Sequence, residues 1–230
     1  MLDKLRAEVL EANLELVRRG LVLYTFGNAS AVSREEGLIA IKPSGVPYEE
    51  MTPGDIVVTD LEGRVVEGTL RPSSDLPTHA ALYRAFPQLG GIAHTHSRHA
   101  TAWAQACREI PCFGTTHADY FAGPIPITSH LSQEEIESAY ELNTGLAIVR
   151  RMQGLDPLAW PGILVAGHAP FCWGETVTHA AHNAVVVEEL AALASQTLAI
   201  NPQAQPIPAG LHRKHHSRKH GPKAYYGQVR

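Results

Sequence analysis

Gly91-Ile92-Ala93-His94-Thr95-His96-Ser97-Arg98-His99-Ala100-Thr101-Ala102-Trp103 is the stretch on which the reading of this chain turns. Its first half is apolar and short and its second half has helical spacing, so it predicts a strand over 91–96 and a helix over 98–107, with Ser97 placed to cap the helix. On a strand, residues two apart share a face and lie about 7 Å apart. His94 and His96 therefore project the same way, and imidazole pairs suit Zn²⁺ and related ions. A catalytic zinc takes about three protein ligands and keeps one position open. His168 is the third candidate, at the end of a second apolar run, Leu164-Val165-Ala166-Gly167-His168. Asp75, in Ser73-Ser74-Asp75, is a fourth ligand or a nearby base. Spacing alone leaves two readings open, a metal centre or hydrogen-bonded histidines at a strand end.

Outward from this segment the chain alternates between the two periodicities. Leu2, Leu5, Val9, Leu10, Leu14, Leu16 and Val17 recur at helical spacing and Gly20 closes the helix. Short β-like runs follow at 28–33, 38–41, 56–59 and 64–66, punctuated by Pro43-Ser44-Gly45, Pro53-Gly54-Asp55 and Glu62-Gly63. They predict a meandering, largely antiparallel sheet. Helices are expected over 77–86, from Ser132 (whose spacing to Glu135 suits a capping box) and over 178–200, with a further strand at 163–166. No repeat or linker divides the chain, and one α/β domain over 1–230 is expected.

Bulk properties bound the function. The 230 residues can bury one sizeable core, and a net charge of -4 gives no electrostatic case for a nucleic-acid partner. No apolar run reads as long enough to span a bilayer, and the charged N-terminus lacks the apolar core of a signal peptide. Cys107, Cys112 and Cys172 have neither metal-knuckle nor disulfide spacing, which fits a reducing cytoplasm. Thirteen histidines are unusual, and only position separates ligands from surface imidazoles.

Three turns have the composition of anion sites: Gly27-Asn28, Lys42-Pro43-Ser44-Gly45 and Arg71-Pro72-Ser73-Ser74-Asp75. Backbone N–H groups and serine hydroxyls cradle phosphate, although such short turns are common in ordinary loops. Neither a P-loop nor a G-x-G-x-x-G segment is present. Asp119 and Glu141, the latter placed on the helix begun at Ser132, read by default as solvated carboxylates. The tail from Leu211 to His220 is polar and basic, and Tyr225-Tyr226-Gly227 follows it near the chain end.

In order along the chain, Glu11-Ala12-Asn13-Leu14, Gly27-Asn28-Ala29-Ser30, Ile41-Lys42-Pro43-Ser44-Gly45, Pro72-Ser73-Ser74-Asp75, the His94–Thr101 segment, Gly114-Thr115-Thr116-His117-Ala118-Asp119-Tyr120, His168-Ala169-Pro170-Phe171 and Arg218-Lys219-His220-Gly221-Pro222-Lys223-Ala224-Tyr225-Tyr226-Gly227-Gln228 make a specific combination. It resembles the class II aldolase/adducin family and, within it, the L-ribulose-5-phosphate 4-epimerase branch, nearly end to end. The resemblance implies a three-layer α/β/α sandwich on a largely antiparallel sheet, and a homotetramer with active sites between subunits. The basic tail, 211–230, is expected to contribute to those sites. It implies zinc, or manganese in its place, on His94, His96 and His168, with Asp75 on or near the ion. The substrate phosphate falls at Gly27, Asn28, Ser44, Gly45, Ser73 and Ser74, with Lys42 against the substrate. Proton transfer falls to Asp119 and Tyr226, the latter donated across a subunit boundary, with Thr115, Glu141, His215 and Arg218 in support.

The implied reaction interconverts L-ribulose 5-phosphate and D-xylulose 5-phosphate. The hydrogen on C4 is not α to the C2 carbonyl, so cleavage and re-formation of the C3–C4 bond is the expected route. The aldolase branch tends to carry Glu where Asp75 stands, which favours the epimerase. Gly167 and Ala169 beside the third histidine, Asn143, Pro222 and the segment 201–210 depart from the family pattern without removing a named group. The rival readings are an aldolase acting on a ketose such as fuculose 1-phosphate, and a non-enzymatic adducin-like interaction domain. The second predicts lost ligands, and all three histidines are present.

Overall fold

The computed structural model describes residues 2–220, 224 and 225. Seven strands, β1 (Asn28–Ser33), β2 (Leu38–Ile41), β3 (Val57–Asp60), β4 (Val65–Glu67), β5 (Gly91–His94), β6 (Gly162–Leu164) and β7 (Pro170–Gly174), form one sheet. Its order is β4-β3-β2-β1-β5-β7-β6, and every neighbouring pair is antiparallel. Strand alternation sorts side chains into two cores. Ala29, Ala31, Ala93 and Cys172 face one side with Val9 and Leu16 of α1 (Leu2–Arg18), Trp103 of α3 (Arg98–Gln105) and Ala180, Ala184 and Val187 of α7 (Val177–Ile200). Ile39, Ile41, Ile92, Phe171 and Trp173 face the other with Leu82 and Tyr83 of α2 (Leu76–Ala85) and Ile148 of α6 (Tyr140–Arg151). The result is the expected α/β/α sandwich.

Two close approaches set the spacing between α7 and the sheet. A Cβ on Gly91 would lie 2.2 Å from Val177 Cα, and one on Gly174 would lie 2.5 Å from His179 Cβ. Only hydrogen fits there. On the same side Asn13 of α1 is fully buried and tied to β1: its Nδ2 donates to the Val9 and Ala29 carbonyls, and its Oδ1 accepts from Ala29 N–H at 2.8 Å. Leaving those groups unpaired would cost about 1–3 kcal/mol. The contact fixes α1 beside Asn28, the residue before Ala29.

Several elements differ from expectation for identifiable reasons. β5 stops at His94, where its pairing with both β1 and β7 runs out, so His96 lies beyond the sheet. His168 does not end a strand either: β6 stops at Leu164 and His168 sits in the turn to β7, its N–H bonded to the Val165 carbonyl. The Ser132–Glu135 capping box forms with both bonds, but the helix it starts, α5 (Gln133–Glu137), is short. The backbone leaves the helical region at Ser138 and Ala139, and Asn143 satisfies a freed carbonyl at Glu135. Glu141 therefore belongs to α6. The tail folds as α8 (Ala209–Lys219) and a short α4 (Thr115–Ala118) lies beneath it. By length and composition α7 is apolar enough to cross a bilayer, contrary to the sequence reading. It packs instead on β5, β7 and α1, with Val177, Ala180, Ala184, Val187 and Ala191 buried.

Candidate functional site

The rim where β5, β1 and the β6–β7 turn meet gathers the three histidines. His94, His96 and His168 have ring centroids 5.0, 4.9 and 5.0 Å apart, and their ligating nitrogens lie within 4.8 Å of one another. His94 Nδ1 donates to the Pro170 carbonyl at 2.9 Å, which leaves the Nε2 lone pair directed at the centre. His168 Nε2 and His96 Nε2 are 3.2 Å apart. Two nitrogens on a tetrahedral Zn²⁺ with Zn–N near 2.0 Å are separated by about 3.3 Å. Burial pushes the His168 imidazole down to about 4, and partial desolvation lowers the more exposed His96 as well, so both are neutral donors at neutral pH. The donor set fits a divalent ion.

Asp75 ends the second serine loop beside this triad. Its Oδ2 accepts from Asn28 Nδ2 at 2.7 Å and lies 3.9 Å from His94 Nε2. Burial alone would raise this carboxyl, but the His94 and His79 rings and the Asn28 amide outweigh it and hold it below the usual range. Asn28 is buried, and its Oδ1 has no hydrogen-bond partner among the described residues. Gly27 precedes it at φ +77°, and a Cβ there would meet the His94 carbonyl at 2.7 Å, so only glycine lets this turn approach β5.

The triad opens into a cavity of about 470 Å³. Gly27, Asn28, Lys42, Ser44, Gly45, Ser73, Ser74, Asp75 and Glu141 all line it with the three histidines. The two serine loops are stitched together, with Ser44 N–H on the Arg71 carbonyl and Ser73 N–H on the Lys42 carbonyl, each at 2.9 Å. Lys42 is 1% exposed; its ammonium contacts the Pro43 and Val46 carbonyls and lies 4.6 Å from the Tyr48 ring centre. Burial lowers its pKa to about 8. The Tyr48 hydroxyl, 3.0 and 2.9 Å from the Phe26 and Gly27 carbonyls, ties this loop to the Gly27 turn.

Asp119 lies elsewhere. At the end of α4 it is 7% exposed and is gripped by α8: Arg218 Nε donates to Oδ1 at 2.9 Å, Arg218 also reaches Oδ2, and His215 Nδ1 lies 3.1 Å from Oδ1. Burial would raise its carboxyl, and Arg218 and His215 more than reverse that. Asp119, Thr115, His215 and Arg218 do not line the cavity. Tyr226 lies outside the described residues.

Three cavity residues escaped the sequence reading. Thr25 and Phe26 precede the Gly27 turn, and Tyr140 has its hydroxyl 3.4 Å from His168 Nδ1. Phe26 belongs to no alternating run, and Tyr140 follows a helix break that no local motif marks.

Solved structures share the fold. An L-fuculose 1-phosphate aldolase superposes with a TM-score of 0.80 at 24% identity, covering 94% of this chain and 95% of that one. YgbL from Klebsiella pneumoniae gives 0.74 at 25% identity, covering 93% and 98%. An L-fuculose-1-phosphate aldolase from Thermus thermophilus gives 0.69 at 23% identity, covering 88% and 99%. Residues 7–195 match the sequence family described as the Class II Aldolase and Adducin N-terminal domain. That match spans most of the chain, including both serine loops and all three histidines, and the protein belongs to this family.

Proposed function

We propose that this chain inverts C4 of a ketopentose 5-phosphate, interconverting L-ribulose 5-phosphate and D-xylulose 5-phosphate by breaking and re-forming the C3–C4 bond. The observation that carries the reading is the short carboxylate in the cavity wall. Asp75 is committed to Asn28 at 2.7 Å and to the edge of the histidine triad, and it has no extra methylene with which to swing over a bound sugar. Proton transfer at C4 then falls to other groups.

Family members use a divalent ion, typically zinc, and one held by His94, His96 and His168 would supply Lewis-acid stabilisation of negative charge developing at the C2 oxygen. The side chains do the rest. Ser44, Gly45, Ser73 and Ser74, with Gly27 and Asn28, hold the phosphate, and the buried Lys42 charge lies behind their loop. Removal of the C4 hydroxyl proton lets the C3–C4 electron pair move toward the C2 carbonyl. The two-carbon aldehyde phosphate stays tethered through its phosphate while its carbonyl turns over, and the new bond inverts C4. This needs a proton group on each side of C4. Asp119 does not face its own cavity, so we assign Asp119 and Tyr226 to the cavity of a neighbouring copy in a homotetramer. Thr115, His215 and Arg218 support Asp119, and Glu141 supports the substrate. The three free cysteines suit a cytoplasmic enzyme.

The test is a coupled assay of purified protein on L-ribulose 5-phosphate, with and without chelator. D-xylulose 5-phosphate should form, and chelator should abolish it. Structures of this fold that are L-fuculose 1-phosphate aldolases favour a second reading, cleavage with product release. Accumulation of free aldehyde from L-fuculose 1-phosphate, with no epimer from L-ribulose 5-phosphate, would establish that reading instead.

A further inference from the structure

The three histidines of the triad are not held alike. The distal nitrogen of His94 is fixed by the Pro170 carbonyl, and that of His168 faces the Tyr140 hydroxyl. His96 has no such bond to Nδ1 among the described residues, is exposed, and follows the last residue of β5 by two positions. Among the described residues its aromatic contacts are Phe26 and the other two histidines, so its position leans on its backbone, a three-residue link that is held by β5 at one end and by the first turn of α3 at the other.

That first turn lacks a local cap. Ser97 stands at the cap position, and its side chain makes no capping bond. The free N–H groups are taken by Glu188, on α7 and 89 residues away. Its Oε1 accepts from His99 N–H at 2.9 Å and lies 2.8 Å from His99 Nδ1; its Oε2 accepts from Ala100 N–H at 2.9 Å and from His99 N–H at 3.1 Å. A carboxylate at a helix N-terminus also complements the helix dipole. The Glu188 side chain is 16% exposed. Burial would raise its pKa, and the Ala100 and His99 N–H groups more than offset that, so it is ionised and bonded at neutral pH. α7 is itself set against β5 and β7 by the Gly91 and Gly174 contacts. Glu188 thus refers the far end of the His96 link to the same sheet that carries His94.

We propose that Glu188 is a positioning residue for the metal centre, holding His96 in ligating geometry by clamping the first turn of α3 to α7. The proposal rests on the reading of the triad as a metal site. Substitution of groups that orient a ligand typically costs 10- to 100-fold in metal affinity.

The experiment titrates metal-stripped full-length protein with Zn²⁺ against a chromogenic chelator, and records the visible spectrum of the Co²⁺ form and the thermal midpoint of the metal-free form. Glu188→Gln keeps the shape of the side chain and one acceptor oxygen; Glu188→Ala keeps neither. Zn²⁺ affinity should fall about ten-fold in Glu188→Gln and further in Glu188→Ala, with an altered Co²⁺ spectrum in both. A drop in midpoint alone, with wild-type Zn²⁺ affinity and spectrum, would make Glu188 a structural cap and overturn the proposal. Should Glu188→Ala fail to fold, the Glu188→Gln affinity decides. A wild-type chain that binds neither Zn²⁺ nor Co²⁺ would remove the metal centre itself, a result distinct from failure of the clamp.

Discussion

The histidine rim and the surroundings of Asp119 are two polar centres built in opposite ways. The rim stands on β1, β5 and the β6–β7 turn, and the distal nitrogens of His94 and His168 face the Pro170 carbonyl and the Tyr140 hydroxyl. Asp119 lies at the end of a single-turn helix, and its carboxylate is paired with Arg218 and contacted by His215 from α8. Sheet edges hold atoms to a fraction of an ångström, which suits ligands. Ion pairs between a short helix and a tail can release and re-form, which would suit the proton-transfer role proposed for Asp119. The two centres are thus housed in separate parts of the fold, and Asp119 does not line the cavity beside the histidines.

The largest effect expected from breaking this contrast falls on the rim. His96→Ala leaves two of three histidine ligands; metal analysis after dialysis should find no retained zinc, and turnover should drop to background. A fully active, metal-free variant would reject the rim as the centre of the chemistry. Next comes Tyr226→Phe, which should keep its zinc and lose about 10²–10⁴-fold in turnover, the range of a lost proton-transfer group. Wild-type-like turnover would remove Tyr226 from the mechanism.

Arg218→Ala sharpens the contrast from the other side. Loss of a hydrogen bond to a charged group should cost about 1.5–3 kcal/mol in unfolding experiments, with zinc content unchanged. The Asp119 carboxyl is held below its ordinary pKa. Its contribution is therefore complete above the unfolded value, about 3.9, and is lost as pH falls through the lower folded value. Without Arg218 the folded value rises toward the unfolded one, so wild type and variant should converge in stability in acid and separate at neutral pH. A constant difference across pH 2–7 would mean that the pair does not act through charge.

The smallest effect concerns Lys42, whose ammonium burial lowers to about 8. Its charge is present below that pH and lost above it, so affinity for inorganic phosphate should fall several-fold between pH 7 and 9.5, and Lys42→Met should flatten the dependence. Stability has the opposite sign: between about 8 and 10.5 the folded chain holds fewer protons than the unfolded one, and this group makes stability rise with pH.

The sequence revealed the sandwich more readily than the site. β1 and β2 were readable to the residue because turn residues flank them. β7 was hidden: Pro170-Phe171-Cys172-Trp173-Gly174 is buried on both faces, so it shows no polar alternation. α8 was hidden because Leu211 is its one large aliphatic side chain and no apolar stripe marks it. Strand alternation placed His94 and His96 on one face of one strand, whereas they meet because the chain leaves the sheet between them. The serine loops were ordinary turns until their order along the chain matched a family. Glu188 gave no signal, since its partners are 88 and 89 residues away and a surface acid on a helix has many uses.

The Gly91 contact constrains which substitutions this lineage can accept. Most core positions of an α/β layer tolerate an exchange of volume, because a neighbouring side chain can yield. At Gly91 the neighbour is the backbone of Val177 itself, and even a methyl group would have to lift the whole helix start. Glu188 is eleven residues farther along the same rod, about 16 Å away, and would be carried with it. A one-carbon change on the sheet would then cost core packing and also be felt at the histidine rim. Gly91→Ala should therefore lower the thermal midpoint and Zn²⁺ affinity together, whereas Glu188→Gln should lower affinity with the smaller loss of midpoint.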